Sequence, residues 1–158
     1  MRKLRLTFAI TLAAATVAVA IADPASALPP RVAFGGLTVT SFNSTFLNQA
    51  DGNLFFQEHD LADYTGTFTG SHVLDGTLEV FKDGSASLHG TATLTGTVDG
   101  CGSGTILFEV SAKIDPFGVV TSSHFETLSN QGTLDVHASL EPLGSIGGTL
   151  PYTGSYHC

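Results

Sequence analysis

The sequence predicts an all-β protein, a single closed antiparallel barrel of about eight up-and-down strands. From Val32 onward, apolar and polar residues alternate with a period of two, and Gly, Asn and Asp fill the gaps between alternating segments. No window after the N-terminal segment has a helical period. Long strands joined by short turns pair antiparallel, and closing them into a barrel pairs the edges that otherwise promote aggregation. A two-sheet sandwich is the alternative.

Residues 1–27 have the pattern of a secretory signal peptide. A basic start at residues 1–5 precedes 17 residues without charge, and Ala25-Ser26-Ala27 forms a small-residue cleavage site. A retained membrane anchor is the alternative, although about half of the uncharged stretch is Ala and Thr, which insert weakly into a bilayer. We therefore expect residues 28–158 to form one exported domain, secreted or otherwise extracytoplasmic.

The exported part is strongly acidic. Residues 28–158 contain three basic and 13 acidic residues, which gives a net charge of −10. A surface of this charge repels phosphate backbones and anionic lipid headgroups. We therefore expect no nucleic-acid partner and no membrane attachment after signal cleavage, whereas small neutral or cationic ligands are compatible with the charge.

The two cysteines, Cys101 and Cys158, both lie in the exported part. In an oxidising compartment the simplest interpretation of such a pair is one disulfide, which would tie the last residue to the body of the domain. A reactive thiol or a metal pair is the alternative, but the chain has no CxxC spacing.

Nine segments have the alternation of a strand, and the second and third of them could form one long strand. The segments are residues 33–43, 54–60, 62–69, 72–82, 85–98, 104–114, 118–128, 132–140 and 146–157. Turn signals separate them, such as Asp83-Gly84, which is typical of a two-residue hairpin, and Asp115-Pro116-Phe117-Gly118. These turns predict that sequence neighbours are antiparallel.

Glycines stand at apolar positions of several strands. Gly90 and Gly96 share the phase of Leu88 and Leu94, and Gly76 stands between two leucines. On an inward face, such glycines let a long strand coil sharply and leave room for large side chains opposite. This pattern favours a small closed barrel over a flat sheet.

Three stretches resemble the shared core of an uncharacterised, mainly actinobacterial domain-of-unknown-function family. They are Asp83–Leu88, Leu94–Gly100 and Gly102–Ile106, and the wider pattern extends from Gly36 to Tyr156. The resemblance implies a small eight-stranded barrel of the allene oxide cyclase-like or calycin-like type. The sequence departs from the family at Cys101, where a basic residue is more common, and at Cys158. The resemblance implies no catalytic residue, because a fold does not fix a function.

Glu58 and Asp60 are the candidate polar groups of an interior site. Even-numbered positions of this segment carry apolar residues, namely Leu54, Phe56, Ala62, Tyr64 and Phe68. Two carboxyl groups on such a face require partners or a polar cavity, and are candidates for ligand contact. A bulge near Asp60 that turns both groups to solvent is the alternative.

His72 shares the phase of Leu74 and Leu78, and Tyr152 and Tyr156 share the phase of Leu150. Apolar side chains with a polar tip are typical of small-molecule pockets, and they also simply fill cores. The candidate ligand-binding residues are Phe56, Glu58, Asp60, Tyr64, His72, Tyr152 and Tyr156.

No motif indicates a reaction. Glu58, His59 and Asp60 cannot all bind one metal ion, because neighbouring strand residues face opposite sides. We therefore assign no catalytic residue, no metal ligand and no cofactor. The leading hypothesis is an exported barrel that binds a small apolar or amphipathic molecule. The alternatives are a structural or interaction protein of the cell envelope and, by fold analogy, an isomerase- or cyclase-like enzyme, and the sequence leaves the oligomeric state open.

Overall fold

A computed structural model describes residues 29–129 and 131–158, so the predicted signal peptide lies outside the described residues. The ten strands are β1 (Arg31–Ser41), β2 (Ser44–Ala50), β3 (Asn53–Gly66), β4 (Phe68–Val80), β5 (Ala86–Val98), β6 (Gly102–Ile114), β7 (Val119–Thr127), β8 (His137–Pro142), β9 (Gly144–Ser145) and β10 (Thr149–His157). Strands β3 to β6 contain 13 or 14 residues each, well above the average strand length. In the described part of the chain, no helix is long and apolar enough to span a bilayer.

Eight of the strands close into an antiparallel barrel, which confirms the predicted fold class. From β3 through β8 to β10, each barrel strand pairs with the next one along the chain. Strand β1 closes the ring by pairing with β10 on one side and with β3 on the other. Strand β2 continues β1 beyond Phe42 and Asn43 and extends the sheet along β3, and β9 adds a short pairing to β7.

The strands differ from the prediction in several places, and β2 was not predicted at all. Residues 54–60 and 62–69 were predicted as separate strands or one, and β3 is one continuous strand up to Gly66. The predicted strand 132–140 begins only at His137, because Thr133 and Leu134 bend to hydrogen-bond the carbonyl of Thr105 instead.

The two ends of the barrel differ in chemistry. The turns at residues 51–52, 81–85 and 115–118 form one end, called here the cavity end. The opposite end, called the disulfide end, contains the β5–β6 turn, where Cys101 is disulfide-bonded to Cys158 with a Cα–Cα distance of 5.5 Å. The predicted disulfide is therefore present, and such a bond is compatible with an oxidising compartment.

Glycines face one another across neighbouring strands. Gly96 of β5 pairs with Gly70 of β4 and with Gly104 of β6, and Gly90 pairs with Gly76. A Cβ atom on Gly96 would overlap with the carbonyl oxygen of the β4 residue before Gly70. The strands can coil this closely because no side chain stands between their backbones.

Aromatic rings fill the half of the interior next to the disulfide end. They belong to Tyr64, Phe68, Phe108, Tyr152 and Tyr156, and their ring centroids lie 5.4–6.3 Å apart. The Tyr152 hydroxyl accepts a hydrogen bond from the Phe68 backbone N–H and donates one to the Thr65 carbonyl, both at 3.0 Å. This half of the barrel is a packed core.

Candidate functional site

A cavity of about 240 Å³ occupies the other half of the barrel. Its walls are mainly apolar and include Leu37, Leu74, Phe125 and Leu150, all buried. The wall residues nearest the cavity end are only partly buried, and they are Leu78, Leu88, Ile114 and Ile146. A ligand could therefore enter from this end. The volume is below the usual range for drug-sized ligands, which indicates a small one.

Polar side chains line the cavity at five positions, namely Ser44, Glu58, Asp60, His72 and Ser123. Ser123 donates its hydroxyl to the Pro142 carbonyl and so already has a partner. The unusual groups are the two carboxyls and the imidazole, because an apolar wall gives them few partners.

Glu58 faces inward because it shares the period-two phase of Ala62 and Tyr64 on β3. Its side chain is 3 % exposed. One carboxyl oxygen, Oε2, accepts a hydrogen bond from the Ser44 hydroxyl at 2.6 Å. The other, Oε1, is buried and has no hydrogen-bond partner among the described residues. Glu58 therefore presents a free acceptor to the cavity.

Asp60 lies two residues further along the same face of β3 and is half-buried. Its carboxyl accepts a long hydrogen bond of 3.4 Å from the Asn43 backbone N–H, at the irregularity between β1 and β2. Burial raises the pKa of Asp60 to about 6, and the negative charge of Glu58 adds to the rise, whereas the Asn43 hydrogen bond opposes it. The two carboxyl groups therefore interact electrostatically, and their like charges repel.

His72 lies on β4, opposite Ala62 and diagonal to Asp60, and is 3 % exposed. Its ring stacks on Tyr64 with a centroid distance of 5.5 Å and meets the edge of Phe125 at 6.1 Å. Burial lowers the pKa of His72 to about 4, so the imidazole is neutral and has one donor and one acceptor nitrogen. Neither nitrogen has a partner among the described residues.

The structure brings three of the seven predicted ligand-binding residues together in the cavity, namely Glu58, Asp60 and His72. Neither carboxyl is turned out by a bulge. Tyr64 is one layer behind, stacked on His72. Its buried hydroxyl also has no partner among the described residues.

The other three predicted residues do not line the cavity. Tyr152 and Tyr156 belong to the packed core, where the Tyr156 hydroxyl donates to the Asp99 carbonyl at 3.0 Å. Phe56 is half-buried and packs edge-to-face on Phe46 of β2. The period-two pattern predicts which face a side chain is on, but it carries no information about depth along the barrel axis.

Sequence reasoning missed several cavity residues on β7 and at the β1–β2 junction. On β7 the inward positions change from Val120 to Ser123 and Phe125, because a bulge opposite Lys113 and Ile114 shifts the register by one residue. That shift breaks the alternation that would have identified them. Ser44 belongs to β2, which has no readable alternation and is exposed along its whole length.

Two of the histidines outside the cavity, His59 and His124, are exposed. His59 pairs with Asp75 at 2.7 Å, and His124 pairs with Glu126 at 3.1 Å, all with exposed side chains. Among residues 29–129 and 131–158, no three His, Cys, Asp or Glu side chains are grouped so that they could hold a metal ion.

No protein-family model matches the chain, and no curated protein matches it. The resemblance to the actinobacterial family therefore stays a prediction. What the fold and the site define is a small closed β-barrel with one end packed and one end hollow, in which buried polar atoms face an apolar cavity.

Proposed function

We propose that the protein is an exported binding protein that holds a small apolar or amphipathic molecule in the cavity. The observation that carries this proposal is that Glu58 Oε1 and both ring nitrogens of His72 are buried at an apolar cavity and have no hydrogen-bond partner within residues 29–129 and 131–158. A buried polar atom left without a hydrogen bond costs about 1–3 kcal/mol. A ligand with a polar head and an apolar body would supply a partner for Glu58 Oε1 and cover the apolar wall.

Two observations support export. The N-terminal 27 residues have the composition of a signal peptide, and the disulfide is of the kind that persists outside the cytoplasm. The acidic outer surface would favour solubility.

Native mass spectrometry of the protein purified from the exported fraction tests the proposal. We expect a fraction of the protein to carry a co-purified molecule, and we expect short-chain amphiphiles added at millimolar concentration to raise the midpoint of thermal unfolding.

Two tryptophan variants make the test specific to the cavity. Leu88→Trp places a large ring in the cavity opening and should abolish the rise in unfolding midpoint that amphiphiles cause. Ser87→Trp adds the same ring at the neighbouring outward position and should leave that rise unchanged. If no amphiphile shifts unfolding of the wild type, or if both variants bind as well as the wild type, the proposal is wrong.

The convergence of two carboxyls and an imidazole supports a second candidate, an isomerase- or cyclase-like enzyme acting on a flexible lipid-like substrate. Glu58 or Asp60 would stabilise positive charge that develops during the reaction. Co-purification of two isomeric forms of one molecule, in a ratio that changes in Glu58→Gln, would favour the enzyme; a single unchanged form would favour the binding protein.

A further inference from the structure

We infer that the ligand's polar head is a cationic amine, held by the carboxyl groups of Glu58 and Asp60. This inference rests on the proposed function and adds the chemical class of the molecule bound. Its starting point is Glu58, which is 3 % exposed, lines the cavity and has a free carboxyl oxygen.

The spacing of the two carboxyls suits an ammonium group. Residues two apart on one face of a strand have Cα atoms roughly 6.5–7 Å apart, so the tips of Glu58 and Asp60 can both reach a single small head group. An ammonium has three donors and no acceptor. It could donate to Glu58 Oε1 and to Asp60 without displacing Ser44 from Glu58 Oε2.

The charge in the cavity favours a cation over the other head groups. None of the described residues that line the cavity is Lys or Arg. The adjacent His59 faces outward, where it pairs with Asp75. A cation would relieve the repulsion between the two carboxyls, a neutral alcohol would leave it unchanged, and a carboxylate would add a third negative group.

The deeper part of the cavity suits the hydrocarbon of such a ligand. Ala62 and Phe125 supply apolar wall there, and His72, which lies opposite Ala62 and contacts Phe125, is neutral, so it does not repel an incoming cation. A short aliphatic or aromatic amine thus meets carboxyls with its head and apolar side chains with its body.

Isothermal titration calorimetry with hexylamine, hexanol and hexanoate tests the inference, because these probes share one tail and differ in head-group charge. At neutral pH we expect hexylamine to bind about tenfold or more tightly than hexanol, and hexanoate to bind more weakly than both.

Two variants separate the cavity from the acidic surface. Glu58→Gln should reduce the advantage of hexylamine over hexanol to about threefold or less while hexanol still binds. Glu109→Gln removes the same charge from an exposed outward position of β6 and should leave the advantage unchanged. If Glu58→Gln does not fold, Asp60→Asn takes its place with the same expectation.

The outcomes distinguish the two proposals. If hexanol binds as tightly as hexylamine, or if Glu109→Gln lowers hexylamine binding as much as Glu58→Gln does, the amine inference is overturned and the binding cavity stands. If none of the three probes binds and no co-purified molecule is found, the proposed function itself fails.

Discussion

Tyr152 and Tyr64 are both buried tyrosines in one aromatic cluster, yet their hydroxyls differ in what they bind. The Tyr152 hydroxyl bridges the backbone of Phe68 and Thr65, whereas the Tyr64 hydroxyl has no partner among the described residues. The pair therefore separates the effect of a hydrogen bond from the effect of ring packing.

We expect Tyr152→Phe to lower the free energy of unfolding by about 1–3 kcal/mol, because it leaves the buried Phe68 N–H without an acceptor. Tyr64→Phe should be neutral within about 0.5 kcal/mol or stabilising, since it removes a buried hydroxyl to which the described part of the chain offers no hydrogen bond. Urea unfolding of both variants gives the comparison, and equal losses would contradict the assignment of the hydrogen bonds.

Asp60 should make the fold less stable at neutral pH than in mild acid. Its pKa is raised from 3.8 to about 6, so as the pH falls the folded state binds a proton at a higher pH than the unfolded state does. The stability that this residue contributes is therefore fully present below pH 3.8 and is lost as the pH rises through 6. The full shift corresponds to about 3 kcal/mol, and the part of the carboxyl in solvent reduces this to ~1–2 kcal/mol.

Asp60→Asn removes this contribution. The variant should unfold at higher urea than the wild type at neutral pH, and the difference should shrink as the pH is lowered from 6 toward 3.8. A difference that is constant with pH would show that Asp60 does not titrate in this range.

His72 changes the stability of the fold with pH in the opposite direction to Asp60, over nearly the same pH range. Its pKa is lowered from 6.5 to about 4, so its contribution is fully present above pH 6.5 and is lost as pH falls toward 4. We expect His72→Phe to be more resistant to acid than the wild type by on the order of 3 kcal/mol at pH 4, measured by urea unfolding across the window. An unchanged acid sensitivity would contradict the burial of the neutral ring.

The inward direction of Glu58, Asp60 and His72 was predictable because each follows the alternation of apolar neighbours on an unbroken strand. The division of the interior into a packed core and a cavity was not predictable, since residues in the core and residues at the cavity follow the same alternation. Depth depends on the stagger between strands, which the alternation does not encode.

At the scale of the strands, the glycine pairs determine how sharply β4, β5 and β6 coil. Gly96 is central to the row that includes Gly70 and Gly104. Gly148, in the loop before β10, is different: a Cβ atom there would meet only the Ser145 carbonyl oxygen, at an ordinary 3.7 Å.

We expect Gly96→Ala to destabilise the protein by about 3 kcal/mol or more, because the added methyl group overlaps with backbone that cannot move without disturbing the sheet. Gly148→Ala should change stability by less than about 0.5 kcal/mol. Thermal unfolding monitored by circular dichroism tests both, and a well-folded Gly96→Ala variant with the wild-type midpoint would refute this account of the coiling.

Most strands were predictable from the sequence because their buried and exposed faces alternate without interruption. Strand β2 was not, since Ser44–Ala50 is exposed along its whole length and pairs with β3 as an added edge of the sheet. The start of β8 was misplaced because Thr133 makes hydrogen bonds to Thr105, a residue on β6, that replace regular pairing. Both errors arise where tertiary contacts, and not burial pattern, decide the conformation.

At the scale of the whole molecule, one disulfide links the β5–β6 turn to the residue after β10. The cysteines are 57 residues apart, so in the chain-entropy account the bond restricts the unfolded chain and thereby stabilises the fold by about 4 kcal/mol. It also stands beside the β1–β10 pairing, where the barrel closes.

Replacing both cysteines by alanine should therefore lower the free energy of unfolding by about 4 kcal/mol, as measured by urea unfolding. Addition of a reductant should lower the free energy of unfolding of the wild type by a similar amount and leave that of the double variant unchanged. If the wild type keeps its free energy of unfolding once the disulfide has been fully reduced, the disulfide does not stabilise the fold.

The closing pair of strands also bears on the order in which the barrel can form during synthesis. Strand β1 is made first, and its pairing with β10 needs a strand that is made more than a hundred residues later. Hairpins from β3 to β7 can form as they emerge, but the ring stays open until β10 has left the ribosome. Folding of this barrel is thus completed only after translation of its last strand, because no earlier strand can take the place of β10 beside β1.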